Sequence, residues 1–339
     1  MPGAVDFHIR PFEEQDEQEV LELLQGSLGG GPFGRRTVRF FRWKHRDNPF
    51  GTSPAYVAEA GGTIVGFRTF LRWRWRTAAG VHEAVRAVDT ATHPGHRGAG
   101  IFTRLTVEAV ESLRQADLDL IFNTPNTQSR PGYLKMGWTQ VGTVPVAIRA
   151  VRPVRFAAGL ARLGAPPSDE PVPCELETAA GVLADTGAVT ELLARTVAPD
   201  DRLSTDRTAA YLRWRYADAP DLDYRVAVAT QGRRLTGLAL GRPRRRGLLG
   251  EFTLDELLVE TGDVSTARAL LRAVAGSGCD HVAAITGHDP DLRAAWRAAG
   301  FLTFPGKGMI LTARPLRAMP ADPRSLSSWR LSLGDLELF

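Results

Sequence analysis

Cysteine is nearly absent from this sequence: Cys174 and Cys279 are the only two in 339 residues. Two thiols so far apart frame no disulfide-stapled fold, and neither has a neighbour at metal-ligand spacing. Both read as structural thiols, and no metal is expected. Lysine is scarce as well (Lys44, Lys135 and Lys307), so the positive charge is arginine, dispersed through an Ala- and Gly-rich chain with a formal charge of +4. A nucleic-acid partner wants a focused basic patch, so this composition argues against one. The one dense run, Arg242 and Arg244 to Arg246, is interrupted by Pro243 and ended by Gly247. It reads as a solvated hairpin tip, with an anion contact as the sharper alternative. Long apolar runs are missing too. None approaches the ~18 residues that cross a bilayer, and no basic stretch feeding an apolar one opens the chain. The expectation is a cytoplasmic protein without membrane contact.

What remains is ordinary globular composition, 43% hydrophobic and 24% charged, over a length that suits two domains. Asp16 to Leu28 has the spacing of an amphipathic helix, broken at Gly29-Gly30-Gly31-Pro32. A second helix follows over Thr37 to Arg46. Ala55–Ala60, Thr63–Arg76 and Val81–Thr92 alternate as antiparallel strands, turned at Gly61-Gly62 and Ala78-Ala79-Gly80. Helix Ile101–Ala116, strand Leu118–Asn123, helix Gln128–Met136 and strand Trp138–Val151 complete a βααβββαβαβ order after the opening strand at Phe7 to Phe12. Within it, Arg72-Trp73-Arg74-Trp75-Arg76 gives a strand one aromatic face. Residues 152–186 lose the pattern and are Pro-rich, as linkers are. The order then restarts over 187–318, leaving 319–339 as a tail. Phe41-Arg42-Trp43-Lys44 answers to Leu212-Arg213-Trp214-Arg215, and Gly137-Trp138 to Gly300-Phe301, which predicts a duplicated fold. Residues 1–151 and 187–318 are thus expected as two domains of one α+β type, each a twisted, mostly antiparallel sheet flanked by helices.

The chemistry concentrates at Val88 to Phe102, where a strand ends at His93-Pro94, a Gly-rich turn follows and a helix begins near Ile101. Amides of such a turn lack intrahelical acceptors, and with the helix dipole they favour a pyrophosphate. Gly98 and Gly100 let the backbone approach phosphate oxygens, and Arg97 adds a charge-assisted contact. The segment resembles the acyl-CoA motif of the GNAT acetyltransferase superfamily, Arg/Gln-x-x-Gly-x-Gly/Ala, with Arg97 and Gly100 in the first and fourth positions and Phe102 departing at the sixth. Asn126, Ser129, Tyr133 and Gly137-Trp138 are similar to a second GNAT pattern, Asn-x-x-Ala-x-x-x-Tyr-x-x-x-Gly-Phe, with every spacing kept.

The resemblance implies two tandem GNAT-like domains and an acyl-CoA-dependent N-acyltransferase, acetyl-CoA being the default donor and a small-molecule amine the acceptor. It implies cofactor contacts at Thr90, Thr92, Arg97, Gly98, Ala99, Gly100, Ile101, Phe102 and Asn126. Tyr133 would be the general acid for the departing thiolate, and the amine would attack without an acyl-enzyme. For the general base, Asp89 and Glu83 lie on the right strand, although regular alternation turns both to the face opposite Thr90 unless a bulge intervenes. His45, Asp47 and a water are rivals. A long-chain or other acyl donor, and a non-catalytic CoA-binding sensor, are the alternative functions; homo-oligomerisation stays open.

The second half departs from the pattern. After Phe252–Val259 comes Glu260-Thr261-Gly262-Asp263, whose acids repel a pyrophosphate, while Trp296 occupies the tyrosine position and Asp289 the asparagine position. That half is expected to be degenerate and to buttress the first. The tail around Trp329 and Asp335 resembles the ending of tandem GNAT proteins. It either packs through Trp329 or brings Asp335, Glu337 or the Phe339 carboxylate to the site.

Overall fold

The computed structural model describes residues 6–28, 37–162, 164, 166–168, 170–196, 200–286 and 290–336. The predicted break at Gly29 to Pro32 lies outside them, as do Asp289, Glu337 and Phe339. The chain forms two compact units. One comprises Met1–Trp75, Gly80–Gly142 and Ile310–Leu326; the other comprises Arg76–Ala79, Thr143–Met309 and Ser327–Phe339. The sequence pattern predicts a first half that ends at 151, but residues 143–150 belong to the second unit and 310–326 to the first.

In the first unit, strand β1 (His8–Pro11) is followed by helices α1 (Glu17–Leu28) and α2 (Val38–His45), strands β2 (Ala55–Ala60), β3 (Thr63–Thr77) and β4 (Gly80–Thr92), helix α3 (Ile101–Gln115), strand β5 (Leu120–Asn123) and helix α4 (Arg130–Lys135). Thr37 starts α2 by accepting the Phe40 amide (3.1 Å), the ordinary N-cap bond. The sheet runs β1-β2-β3-β4-β5, and residues 312–315 pair antiparallel with β5, Thr312 opposite Asn123. β1, β2 and β3 pair antiparallel, whereas β4 and β5 are parallel, as expected for strands joined through a helix. Val20, Leu24, Phe41 and Phe67 pack under α1 and α2. Val85, Val110, Leu113, Ile121, Tyr133 and Trp138 form the core under α3 and α4. Helix α3 sits close on β3 because Gly66 has no side chain: a Cβ there would lie 2.5 Å from the Ile101 side chain. The Trp-Arg strand is amphipathic. Trp73 and Trp75 are fully buried and meet Phe122 edge-on at 5.8 and 5.0 Å.

The second unit repeats the order with strands Arg225–Gln231, Arg234–Arg246, Leu249–Val259 and His281–Ala284 and helices Ala209–Tyr216, Val264–Ala275 and Pro290–Ala298. Residues 147–150 of strand Thr139–Ala150 pair with His281–Ala284. Short helices at Pro153–Gly159 and Ala179–Leu183 punctuate the stretch expected as linker. The arginine run is no solvated tip: it lies in strand Arg234–Arg246, where buried Arg244 and half-buried Arg246 pair with buried Glu251 at 2.6 and 2.9 Å. A carboxylate three strand residues past the turn takes two of the run's guanidiniums, a cross-strand pairing that composition alone does not reveal. In the tail, Trp329 is 1% exposed and Asp335 is fully buried. Asp335 accepts from Thr205 Oγ1 (2.7 Å) and pairs with Arg207 (3.1 Å), so its carboxylate is a clasp of the second unit. Cys279 is buried and its thiol is pushed up to about 11 by desolvation.

Candidate active site

The turn that leads into α3 is built to leave amides open. Pro94–His96 makes one 3-10 turn, Gly98 and Gly100 take φ of +82° and +76°, and no side chain caps Gly100 at the helix N-terminus. Among the described residues the amides of Gly98, Gly100, Ile101 and Phe102 find no acceptor. Such a cluster of N–H groups at the positive end of a helix dipole binds an anion. Arg97 is exposed beside it. Ala99 is half-buried and packs beneath, against the core under Ile101.

Upstream, β4 and β5 are in register only from Ala84–Leu120 to Arg86–Phe122. Residues 87–92 continue beyond that pairing and carry Thr90 and Thr92 towards the turn. Asp89 interrupts the strand with φ of +39°, a local irregularity that regular alternation does not foresee. Its carboxylate is almost buried and pairs with Lys44 Nζ at 2.6 Å and His45 Nε2 at 3.1 Å. Ser53 Oγ bonds the other ring nitrogen of His45 at 3.0 Å. Both imidazole nitrogens are therefore engaged. Glu83 is six residues earlier, about 20 Å along an extended strand at ~3.3 Å per residue. It pairs with Arg74 at 2.7 Å, away from this cluster.

Tyr133 projects from α4 into the core, 5% exposed, between Phe102 (ring centroids 5.7 Å apart, 87° between planes) and Trp138 (5.2 Å, 65°). The phenol oxygen accepts a 2.7 Å hydrogen bond from Arg68 Nη1, which also donates to Thr90 Oγ1. Phe102, the departure from the GNAT motif, thus spends its ring on Tyr133. A Cβ on Gly132 would come within 3.0 Å of that ring. Asn126 holds the turn that leads into α4, its Oδ1 accepting from Ser129 N (2.8 Å), Ser129 Oγ (3.0 Å) and Gln128 N (3.1 Å). Its exposed amide nitrogen has donors left over. Thr90, Arg68, Tyr133 and Phe102 come together at one point. Arg68 was the residue the motifs did not find, although a charged residue inside the apolar run Ile64 to Leu71 is the signal that marks it.

The corresponding turn of the second unit is closed. Asp263 caps helix Val264–Ala275, accepting from the Thr266 amide (2.9 Å) and from Ser265 Oγ (2.7 Å). Hydrogen bonds from the Thr266 side chain and backbone hold its carboxyl below the usual range, so a fixed anion fills this helix terminus. Trp296 is buried edge-on against Phe301 at 4.9 Å, repeating the Tyr133–Trp138 contact without a hydroxyl.

Residues 8–141 match the family described as Acetyltransferase (GNAT) domain. Over that stretch the chain is similar to a GNAT domain. Among solved structures, a GCN5-related N-acetyltransferase from Anabaena variabilis is similar over 92% of this chain and 73% of that one, with TM-score 0.62 and 12% identity. A probable N-acyltransferase from Enterococcus faecalis is similar over the same shares, with TM-score 0.64 and 13% identity. The N-myristoyltransferase of Saccharomyces cerevisiae with bound myristoyl-CoA is similar over 100% of this chain and 91% of that one, with TM-score 0.56 and 12% identity. At such identities the likeness is one of fold, a mixed α+β architecture with helices on the sheet. A comparison with curated proteins finds no match. Among the described residues no helix is long and apolar enough to cross a membrane, and no group of His, Cys, Asp and Glu side chains is placed to hold a metal.

Proposed function

We propose that the protein is an acyl-CoA-dependent N-acyltransferase in which the GNAT domain binds the donor and performs the chemistry, with acetyl-CoA as donor and a small-molecule amine as acceptor. The observation that carries this reading is the open amide cluster at Gly98 to Phe102 in the same domain as a buried, hydrogen-bonded Tyr133. In this reading the CoA diphosphate takes those amides and Arg97 adds a charge-assisted contact. The pantetheine arm follows residues 87–92, using main-chain groups of Thr90 and Thr92 and the Asn126 amide. The amine attacks the thioester carbonyl directly, and gathering both reactants supplies much of the rate. Tyr133 protonates the leaving sulfur. Asp89, held by Lys44 and His45, is our assignment for the group that receives the ammonium proton.

Calorimetry with acetyl-CoA, followed by release of CoA over a panel of polyamines, aminoglycosides and amino acids, tests this. We expect Arg97→Ala to weaken binding about tenfold, the value of one charge-assisted contact. Tyr133→Phe should keep binding and slow release by about 10²-fold or more. No binding to the intact protein, or an undiminished rate in Tyr133→Phe, overturns the reading. A longer acyl donor is the second reading; the myristoyl-CoA bound in the yeast neighbour supports it. Competition between acetyl-CoA and myristoyl-CoA decides between the two.

A further inference from the structure

Arg68 is fully buried in the middle of β3, and among the described residues no carboxylate pairs with it. A buried cation without a counter-charge is costly, by several kcal/mol per ion in proteins after relaxation. What surrounds it is aromatic and hydroxylic. The guanidinium carbon lies 4.7 Å from the Phe70 ring centre, 5.2 Å from that of Tyr133 and 5.8 Å from that of Phe102. These contacts are within cation–π range and ease the burial without neutralising the charge. Nη1 serves Thr90 and Tyr133, while Nε and Nη2 are buried with no hydrogen-bond partner. A protein keeps such a group where negative charge forms, and here the nearest group able to develop one is the Tyr133 phenol.

We propose that Arg68 is the positioning residue for proton transfer from Tyr133, an inference that rests on the acyltransfer reading above. Its role has two parts. Arginine only donates, so the bond from Nη1 takes a lone pair of the phenol oxygen and forbids the O–H from pointing back at the arginine. The phenol proton is thereby directed outward, to the sulfur. The second part concerns charge. As the amine nitrogen bonds to the carbonyl carbon and the C–S bond breaks, the electron pair leaves on sulfur, which takes the Tyr133 proton. Tyr133 becomes a phenolate. Arg68 is already hydrogen-bonded to that oxygen and stabilises the charge where it appears, with no reorganisation. The acceptor nitrogen gives up two protons: one passes from the ammonium to Asp89 before attack and on to solvent, and the one lost as the amide forms returns through solvent to restore the phenol, so the step balances.

The test is a double-mutant cycle in the intact protein with Arg68→Met, Arg68→Lys and Tyr133→Phe, read as kcat and KM for acetyl-CoA release and as calorimetric affinity for acetyl-CoA. Removing a pre-organised donor costs about 10²-fold in kcat, so Arg68→Met should lose roughly that while affinity changes less than about threefold. Arg68→Lys should recover about a tenth of the lost rate or more by restoring one charged donor. Arg68→Met added to Tyr133→Phe should cost nothing further, because the two act as one unit. Should Arg68→Met not fold, the lysine variant carries the same cycle. A kcat for Arg68→Met within threefold of the parent while Tyr133→Phe is slow overturns the proposal, and so do effects that multiply. If Tyr133→Phe itself is unimpaired, the acyltransfer reading fails first and this role falls with it.

Discussion

The two helix N-termini at Gly100 and Asp263 occupy the same place in the order of elements and differ in how their amides are met. Gly100 has no side chain to cap α3 and leaves amides open, whereas Asp263 reaches over and bonds the Thr266 amide. A helix terminus that supplies its own anion has no use for a foreign one. The contrast repeats deeper in each unit. Asp89 sits with Lys44 and His45 at a left-handed position of β4; Glu256 sits with Tyr216 (3.1 Å) and Arg207 (2.8 Å), and Arg207 is shared with the tail carboxylate Asp335. The helix that ends in Lys44-His45 answers to the one that ends in Arg215-Tyr216, so the duplicated polar core persists while its partners diverge. In the proposed reading, the second half differs from the first at the positions that would meet the donor, on a scaffold that repeats the same order of elements.

That comparison breaks most severely where its buried charges are unpaired. Asp89→Asn leaves Lys44 buried without that carboxylate, and removing one partner of such a pair costs about 3–5 kcal/mol. Denaturant unfolding should show the loss, and Lys44→Met in the same chain should recover much of it. Next in size is a transplant between the termini. Gly100→Asp brings to α3 the carboxylate that closes its counterpart, in a backbone conformation (φ +76°) that aspartate tolerates better than most residues. Acetyl-CoA affinity should fall about a hundredfold, equivalent to ~2.8 kcal/mol.

A smaller effect in the second unit is one of pH. Burial raises the Glu251 carboxyl, but the bond to His281 and the charges of Arg244 and Arg246 outweigh it and hold the group below the ordinary carboxylate range. An acid lowered in the fold stabilises it above the unfolded value of about 4.3 and loses that contribution as pH falls below it. Stability should therefore drop below about pH 4.3 in the parent and follow a flatter acid limb in Glu251→Gln, measured by urea unfolding across pH. Smallest of all is the thiol. Cys279, buried and pushed up to about 11, should resist iodoacetamide in the native state at neutral pH and react only on unfolding, as mass spectrometry would show.

Periodicity and glycine placement mark β2, β3 and α3 nearly to the residue, because local pattern governs such elements. The Gly-rich turn before α3 and the helix that carries Tyr133 follow the sequence pattern for the same reason: each lies within a contiguous segment. Arg68 was not, since it meets Thr90 and Tyr133 from a different strand, and sequence separation hides such a meeting. Nor was the placement of residues 147–150 and 312–315, which pair with strands distant in sequence. The arginine run misled for a related reason, its partner Glu251 being visible only once the hairpin is folded.

Hydrogen–deuterium exchange on addition of acetyl-CoA tests the central claim most directly, by reading the two helix termini in one experiment. The amides at 98–102 should slow markedly at saturating ligand, and those at 263–266 should exchange as before. Protection at 263–266, or unchanged exchange at 98–102, would contradict the division between an open and a closed terminus.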